Sequence, residues 1–244
     1  MEVHKPKPWH GLGEFLREYL IVVVGVLTAL AAEAVVQRLH ESRVSQEARE
    51  AVKGEIASDL ANAQRRFAWQ PCIDRRVAEI DEALASADRG TSFAPLQTIG
   101  NPGAPVIATQ RWEASTEGGR TSLLGLEEQR NLGRIYAQLE SLARYESAEQ
   151  DAWSDLEALR GVTHPSAELL AHTQVALAHA RIASFQVRNT LRQTVDMAAR
   201  IGVKPATSGL IVQREQTNRE LLCLPASTPR DEAAKRIRDP LGLY

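Results

Sequence analysis

An apolar stretch near the N-terminus constrains this chain more than any other feature of its sequence. Residues 19–36 carry a single charged side chain, that of Glu33, in a run made mostly of Leu, Val, Ile and Ala. A helix of that length spans roughly 27 Å, the short end of what a bilayer requires. Trp9 and Tyr19 lie on its N-terminal side, where amphipathic rings favour the lipid headgroups. We therefore predict a transmembrane helix over 19–37, with the lipid bilayer as a partner.

Two other interpretations of this stretch stay open. A cleaved signal peptide would fit the sequence from Ala29 to Ala31, which resembles a small-residue cleavage site, and a buried core helix would also be apolar. Secretory signals, however, begin with a positively charged region. The first 18 residues instead balance three basic side chains with three acidic ones. This balance favours an uncleaved anchor.

Charge does not determine how the anchor is oriented. The flank before the span has three Lys and Arg residues, and the twenty residues after it have four. The positive-inside rule therefore does not decide between the two orientations. A short flank ahead of a lone span commonly behaves as an uncleaved signal anchor, which leaves the bulk of the chain outside. We therefore predict a single-pass protein of the bacterial inner membrane with most of its chain in the periplasm.

The two cysteines favour the same orientation. Cys72 directly follows Pro71, and Cys223 lies two residues before Pro225, so both are near predicted helix ends. In an oxidising compartment such a pair would form a disulfide that joins the first long helix to the last. The alternative is two unrelated buried thiols, which is a common state for cysteine.

Small residues line one face of the predicted membrane helix at positions i, i+3, i+4 and i+7. Small residues let two helix backbones approach closely, which is how membrane helices associate. We expect self-association, or binding of another protein's helix, through this face, which consists of Gly25, Thr28, Ala29 and Ala32. Glu33 follows the face, and a carboxylate inside a membrane is by default a functional hypothesis. Because only three apolar residues come after Glu33, we expect its side chain to reach the interface and remain ionised.

The rest of the chain is typical of long helices. Ala, Leu, Glu, Arg and Gln are frequent, aromatic residues make up 5% of the sequence, and apolar residues recur with the spacing of one helix face. We predict an all-α fold in which the transmembrane helix continues into an antiparallel bundle of four to five helices. Pro71 is expected to kink or end the first helix.

The predicted domains follow from where this pattern starts and stops. A flank at 1–18 precedes the membrane helix, the bundle occupies 38–225, and a loosely held tail is expected at 226–244. Within the bundle we predict an irregular loop at 89–108, rich in Gly and Pro, and helices at about 109–116, 124–159, 165–201 and 208–222. A loop of that length is either functional, as a partner contact or a lid, or mobile.

The apolar seam of the predicted helix at 124–159 passes through two glutamates, Glu146 and Glu149. They are either buried, as ligands or as a polar lock, or solvated because the seam moves around the helix onto Tyr145, Ala148 and Ala152. A straight helix drifts by about 20° per heptad relative to a 3.5-residue repeat. We therefore expect the seam to drift and both carboxylates to be solvated.

Motifs that carry chemistry are missing from the sequence. It has no Gly-rich phosphate loop, no G-x-S-x-G, no H-E-x-x-H and no C-x-x-C. His172 and His179 share a helix face and His164 lies ahead of them, yet no histidines stand at i, i+4 for zinc and no Glu-x-x-His pair stands ready for a di-iron site. We expect no catalytic residue, metal or cofactor, and a protein that is not an enzyme. With a net charge of -2 it has no basic excess for nucleic acid.

The chain resembles a loose group of uncharacterised bacterial membrane proteins. The likeness rests on the run EYLIVVVGVLTAL at 18–30, which leads into a charged helix, on PCIDRR at 71–76 and on RWE at 111–113. The resemblance covers most of the chain and implies a single N-terminal anchor with a helical extracytoplasmic domain. It implies no activity, ligand or catalytic residue.

Two functions of different classes are consistent with the sequence. The first is a non-enzymatic single-pass membrane protein whose helical domain binds other proteins, for example as an accessory subunit of a membrane complex. The second is a sensor-like domain that binds a small molecule between its helices. A sensor should have a pocket with convergent polar groups, and it normally needs a cytoplasmic output domain, which 18 residues before the span do not supply. We therefore rank the first function above the second.

Overall fold

A computed structural model describes residues 11–91, 93–103, 107–207 and 221–238. Within these ranges the chain forms helices and no strand, so the predicted all-α fold is confirmed. The helices are α1 (Leu12–Asp88), α2 (Gln110–Glu117), α3 (Leu126–Leu156), α4 (Ala167–Arg200) and α5 (Arg230–Arg238). Two short 3-10 turns lie at Arg120–Leu123 and Glu157–Leu159.

Helix α1 has 77 residues, which corresponds to a rod of about 115 Å. Its apolar part near the N-terminus is long and apolar enough to cross a membrane. No residue of that apolar window is buried, and large side chains such as Ile21 and Leu27 are about 60% exposed. A helix that faces lipid has such exposure, whereas a core helix of a soluble domain does not.

Of the two outcomes expected at Pro71, a kink or an end of the first helix, the end does not occur, because α1 continues through Pro71 to Asp88. Proline removes one backbone donor and crowds the carbonyl four residues earlier. At this position the side chain of Pro71 is exposed, so water can hydrate the carbonyl that loses its partner. On both sides of Pro71, residues such as Trp69 and Ile73 are buried in the same core and hold the helix in place.

Three helices, α1, α3 and α4, form the bundle. Two ion pairs show that α1 and α3 run parallel. Arg49 of α1 pairs with Glu128 of α3 at 2.7 Å, and further along both helices Arg66 pairs with Glu149 at 2.7 Å. Helix α4 runs antiparallel to both. Its Arg181 pairs with α1 at 2.8 Å, through Asp81. The bundle is therefore not antiparallel throughout, which differs from the sequence prediction.

The segment 89–125 explains the parallel pair, because it brings the chain back along α1 before α3 begins. The carbonyl of Thr98 accepts a hydrogen bond from Arg76 at 2.6 Å. Further along the segment, the carbonyl of Leu123 accepts one from the Ser45 hydroxyl at 3.3 Å. The segment thus descends about thirty residues of α1, or roughly 45 Å.

The bundle interior consists of two apolar clusters, named here by their distance along α1 from the apolar N-terminal part. The proximal core includes Val52, Ile56, Leu60, Leu132, Ile135, Leu139, Leu142, Val187 and Leu191. The distal core includes Trp69, Ile73, Ile80, Leu84, Leu96, Ile99, Trp153, Leu156, Leu177 and Leu222. Between the two cores the buried side chains of Arg66, Glu146, Glu149 and Ser184 form a polar layer.

The C-terminal part differs from the loosely held tail predicted for 226–244. Residues 230–238 form α5, and the side chains of Ala226 and Ala233 are buried, at 3% and 1% exposure. The backbone N–H of Ala226 donates to Glu79 of α1 at 3.1 Å. The predicted helix at 208–222 and the last six residues lie largely outside the described residues, which take up again at Leu221 in helical conformation.

Candidate functional site

Helix α4 has two apolar faces, of which only one is used inside the bundle. The inner face follows the predicted seam and is buried against α1 and α3. Its buried members are Thr173, Leu177, Ala180, Ser184, Val187, Leu191, Thr194 and Ala198. The Ser166 hydroxyl caps the start of the helix by accepting from the Leu169 N–H at 3.1 Å.

The second face points to solvent and is named the outer seam. Its residues follow one another at spacings of 4, 3, 4 and 3, and they are Ala171, Val175, Ala178, Ile182 and Phe185. Val175, Ile182 and Phe185 are 56%, 57% and 54% exposed. The sequence analysis missed the outer seam because it followed one apolar face per helix. The spacing that reveals it is nevertheless present in the sequence.

Basic and neutral side chains flank the outer seam. From residue 169 to residue 195 helix α4 contains no Asp or Glu. Arg188 lies over the ring of Phe185, with its guanidinium carbon 5.8 Å from the ring centroid. Arg181 is paired with Asp81 of α1 across a half-exposed contact. The apolar strip is therefore bordered by positive charge, part of which α1 neutralises.

The outer seam lies far from the apolar part of α1. Ser184, next to Phe185 at the proximal end of the seam, is within 3.5 Å of Arg66. Arg66 follows Val36 by thirty residues, which corresponds to about 45 Å of helix. If the apolar part spans a bilayer, lipid of that same membrane does not reach the outer seam.

The polar layer shows that the expectation for Glu146 and Glu149 was wrong. Both carboxylates are buried, at 3% and 1% exposure, while Ala148 is exposed. The side chain of Arg66 donates to both oxygens of Glu149, at 2.7 and 3.0 Å. The buried positions of α3 keep a 3.5-residue repeat from Leu132 to Leu156, the repeat of helices packed as in a coiled coil, so the expected drift does not occur.

The irregular loop at 89–108 is held against α1 by a buried cation. Arg76 is fully buried, pairs with Glu79 at 2.9 Å, and donates to the carbonyls of Thr98, Ile99 and Leu224. Burial lowers the pKa of Arg76, and the Glu79 carboxylate opposes that shift. The described part of this loop is therefore anchored to α1 rather than free to act as a lid.

Helix α2 is docked on α1 by an acidic side chain. The Glu55 carboxylate accepts from the backbone N–H groups of Arg111 and Trp112, at 2.9 and 3.3 Å, and from the Tyr136 hydroxyl at 2.8 Å. These N–H groups belong to the first turn of α2, which has no partner for them within the helix. The rings of Trp112 and Tyr136 stack with centroids 4.8 Å apart. Glu55 thus has a structural role.

A second acid, Asp59, lies one turn further along α1 and is only 2% exposed. Its Oδ1 accepts from the Ala108 N–H at 3.1 Å, and its Oδ2 has no hydrogen-bond partner among the described residues. Burial raises the pKa of Asp59 to about 7; the bond from Ala108 opposes the shift and the charge of Glu55 adds to it. In the unfolded chain this carboxyl titrates near pH 4, so its contribution to stability is complete below about pH 4 and is lost as the pH rises to about 7.

We expect the variant Asp59→Asn to be more stable than the wild type at pH 8, by up to about 4 kcal/mol, and nearly equal to it at pH 4. The amide keeps an acceptor for Ala108 and cannot ionise. Melting temperatures at pH 4, 6 and 8 measure the difference. The exposed Asp151→Asn on α3 is the matched control and should show no such trend. A constant difference between Asp59→Asn and wild type over this range would contradict the titration of a buried Asp59.

The cysteine pair is brought together as predicted. Cys72 and Cys223 are joined by a disulfide, and their α-carbons are 4.8 Å apart, within the range that disulfides occupy. Gly100 lies close to the same contact with a φ of 78°, and a β-carbon there would meet the Leu222 α-carbon at 3.2 Å. The disulfide thus connects α1 to the segment that packs on the irregular loop.

The small residues of the predicted membrane helix are all exposed. Around Gly25 nothing approaches within 4 Å of where a β-carbon would lie, so the surface is open to another helix. The Thr28 hydroxyl donates to the Val24 carbonyl at 2.7 Å and therefore needs no external acceptor. Self-association through Gly25, Thr28, Ala29 and Ala32 stays a prediction.

Other candidate groups do not converge on a reactive site. His164, His172 and His179 are exposed, and the Nε2 of His172 is 3.8 Å from Asp155. Among the described residues no group of three or more His, Cys, Asp and Glu side chains is placed to hold a metal. A cavity of about 380 Å³ lies between residues 97–101 and the end of α3, with Arg160 and Glu157 paired at 2.7 Å on its wall.

A comparison of this chain with known protein families, with curated proteins and with solved structures gives no match. The resemblance to bacterial single-span proteins therefore rests on the sequence runs that carry it and stays a prediction.

Proposed function

We propose that this chain is a single-pass protein of the bacterial inner membrane whose periplasmic helical domain binds other proteins through the outer seam of α4. The main support is the exposure of three large apolar side chains on one continuous face of α4, separate from the apolar part of α1. Val175, Ile182 and Phe185 are each more than half exposed. Contiguous apolar surface on a folded domain is typical of an interaction site.

The anchor and the compartment have separate support. The apolar part of α1 is uncovered by any other part of the described chain, as a lipid-facing helix would be. The disulfide between Cys72 and Cys223 is the kind of bond that persists in an oxidising compartment such as the periplasm. The disulfide therefore favours the orientation that places the bundle in the periplasm.

The buried charges favour a binding role over catalysis. Arg66 and Glu149 are paired with each other, and Arg76 is surrounded by backbone carbonyls. Glu55 fixes the start of α2. These groups connect helices and loops, and none of them is among the residues that line the cavity beside α3. An accessory subunit of a membrane complex is one form that such a protein takes.

This function predicts that a charge in the outer seam removes a companion chain. The full-length protein would be extracted from its native membrane in mild detergent, and its complexes would be analysed by size-exclusion chromatography and mass spectrometry. We expect Ile182→Glu to lose the companion while its stability stays within about 0.5 kcal/mol, because residue 182 is exposed. The control Ala143→Glu, on the exposed face of α3, should retain it. A wild-type chain that is a monomer without any companion would contradict the proposal.

A sensor-like function stands second and rests on the cavity beside α3. Its wall includes polar side chains such as Thr98 and Asn101, which fit a small polar ligand. Among the described residues, the only charged ones that line it are Glu157 and Arg160, which are paired with each other. The apolar side chains of the outer seam are more than half exposed, so protein binding ranks first.

A further inference from the structure

The outer seam has the heptad spacing of a coiled coil over about two heptads. Successive residues of the outer seam alternate between the two positions that the heptad convention names a and d. The a positions are Val175, Ile182 and Asn189, and the d positions are Ala171, Ala178 and Phe185. The next d position is Arg192, which is exposed and ends the apolar strip.

The chemistry of the a positions favours a parallel pair. In parallel dimers β-branched residues are preferred at a, and Val175 and Ile182 are both β-branched. A single polar Asn at an a position specifies register and the two-stranded state at a cost in stability. Asn189, which is half-buried in the single chain, occupies that position. In a parallel pair it would face Asn189 of the second copy.

The flanking charges allow two copies to pair in parallel. The g positions beside the seam are Gln174, Arg181 and Arg188, and the e positions are His172, His179 and Gln186. In a parallel pair each g residue faces the e residue of the following heptad in the other copy. Arg181 would then face Gln186, and Gln174 would face His179. Neither contact joins two arginines.

An antiparallel pair is less compatible with the same side chains. The register that places Val175 against Phe185 and Ala178 against Ile182 also places Arg181 against Arg181 of the second copy. The Nη2 atom of each Arg181 is paired with Asp81 of its own chain at 2.8 Å, and the arginine side chain stays 45% exposed. Like charges directly opposed at a helix interface are destabilising.

Membrane anchoring selects the same arrangement. Two copies inserted in one membrane with the same topology have their α1 helices pointing in the same direction. A two-fold axis along the membrane normal then relates them, and it makes their α4 helices parallel. The outer seam begins about 45 Å from the apolar part of α1, so a second bundle can stand beside the first without contacting lipid.

From these features we infer that the outer seam of α4 is covered by the outer seam of a second copy of this chain, in a parallel homodimer. This inference rests on the proposed function and names its partner. The test must distinguish this homodimer from two other ways of covering the outer seam. One is a helix of an unrelated protein with acidic flanks, and the other is the chain's own residues 208–220.

Cysteine cross-linking of the full-length protein in native membranes tests the pairing. We expect the variant Val175→Cys to form a covalent dimer under mild oxidation in more than half of the molecules, because residues at a face each other in a parallel pair. The control is Ala143→Cys, an exposed position on α3, which should form at least tenfold less. Co-expression of Val175→Cys with Phe185→Cys should give little of the mixed dimer.

Each other outcome is decisive. A dominant mixed dimer between positions 175 and 185 would overturn the parallel pairing in favour of an antiparallel one. If Val175→Cys cross-links no better than Ala143→Cys, the homodimer is overturned. In that case loss of a companion chain in Ile182→Glu would leave the proposed function standing with an unrelated partner. A monomer in which the thiol of Val175→Cys resists maleimide would mean that residues 208–220 cover the seam, and both ideas would fail.

Discussion

Replacing Glu149 by leucine is expected to lower the free energy of unfolding by about 3–5 kcal/mol, because it leaves a charged arginine buried without its counterion. The side chain of Arg66 is 2% exposed and has Glu149 as its ion-pair partner. Arg66 also donates to Gln70 at 2.9 Å and, weakly, to Ser184 at 3.5 Å. Thermal unfolding of the full-length chain in detergent, followed by circular dichroism, should show a melting temperature lower by about 10 °C.

The matched controls separate the ion pair from simple packing effects. The double variant Arg66→Met with Glu149→Leu removes both charges, and we expect it to recover most of the loss, since apolar replacement of a buried pair is often neutral or better. Glu140→Leu changes an exposed glutamate of the same helix and should alter stability by less than about 0.5 kcal/mol. A single variant Glu149→Leu as stable as the wild type would mean that Arg66 and Glu149 are not buried together.

The polar layer has a further consequence for how the helices align. It separates the proximal core from the distal core, and apolar side chains alone would allow α1 and α3 to slide by one turn with little change in buried area. The Arg66–Glu149 ion pair, at 2.7 Å, favours the observed alignment of α1 and α3. Ser184 of α4 lies 3.5 Å from Arg66 in the same layer, so the polar layer also contributes to where α4 and its outer seam lie along α1.

Most of the helices could be predicted from the sequence because their ends carry local signals. The helix predicted at 109–116 is found at Gln110–Glu117, and the one predicted at 165–201 is found at Ala167–Arg200. Gly119 and Gly202 adopt positive φ after these helices, a conformation that glycine adopts at little cost. Such signals lie within a few residues of the structure that they determine.

Features that depend on distant contacts could not be predicted in the same way. The direction of α3 follows from the path of the segment 89–125, which is fixed by Arg76 and by other side chains of α1. The burial of Glu149 depends on Arg66, 83 residues earlier in the chain. The sequence pattern of one helix shows which of its residues lie in the apolar seam. It does not show which charged residue of another helix will contact them.

The outer seam was missed for a different reason. Its spacing is local and visible in the sequence, but the inner face of α4 has the same spacing and already accounts for a helix in a bundle. Burial alone distinguishes the two faces, since Leu177 is 3% exposed and Ile182 is 57% exposed. A second apolar seam on one helix is thus a sequence signal for an interaction surface. The fold is needed to tell which of the two seams is exposed.

Removal of the disulfide is the second change with a large expected effect. Cys72 and Cys223 are separated by 151 residues, and closing a loop of that length stabilises a folded chain by about 4–5 kcal/mol at most. We expect Cys72→Ser to lower the melting temperature by roughly 5–10 °C without abolishing the fold. The bundle should persist because the proximal core and the polar layer do not include either cysteine.

The region lost first should be the one that the disulfide connects to α1. There Leu222 is fully buried in the distal core, Ala226 donates to Glu79 at 3.1 Å, and Arg76 binds the carbonyl of Leu224. Hydrogen exchange should therefore increase at residues 221–238 before it increases in α3 or α4. Cys72→Ser, Cys223→Ser and the double variant should melt at the same temperature, and a reducing agent should bring the wild type to that temperature while leaving the variants unchanged. If the wild type is unaffected by reduction, or if both of its thiols react with maleimide in isolated membranes, the bond does not form in the cell, and the strongest support for a periplasmic bundle is lost with it.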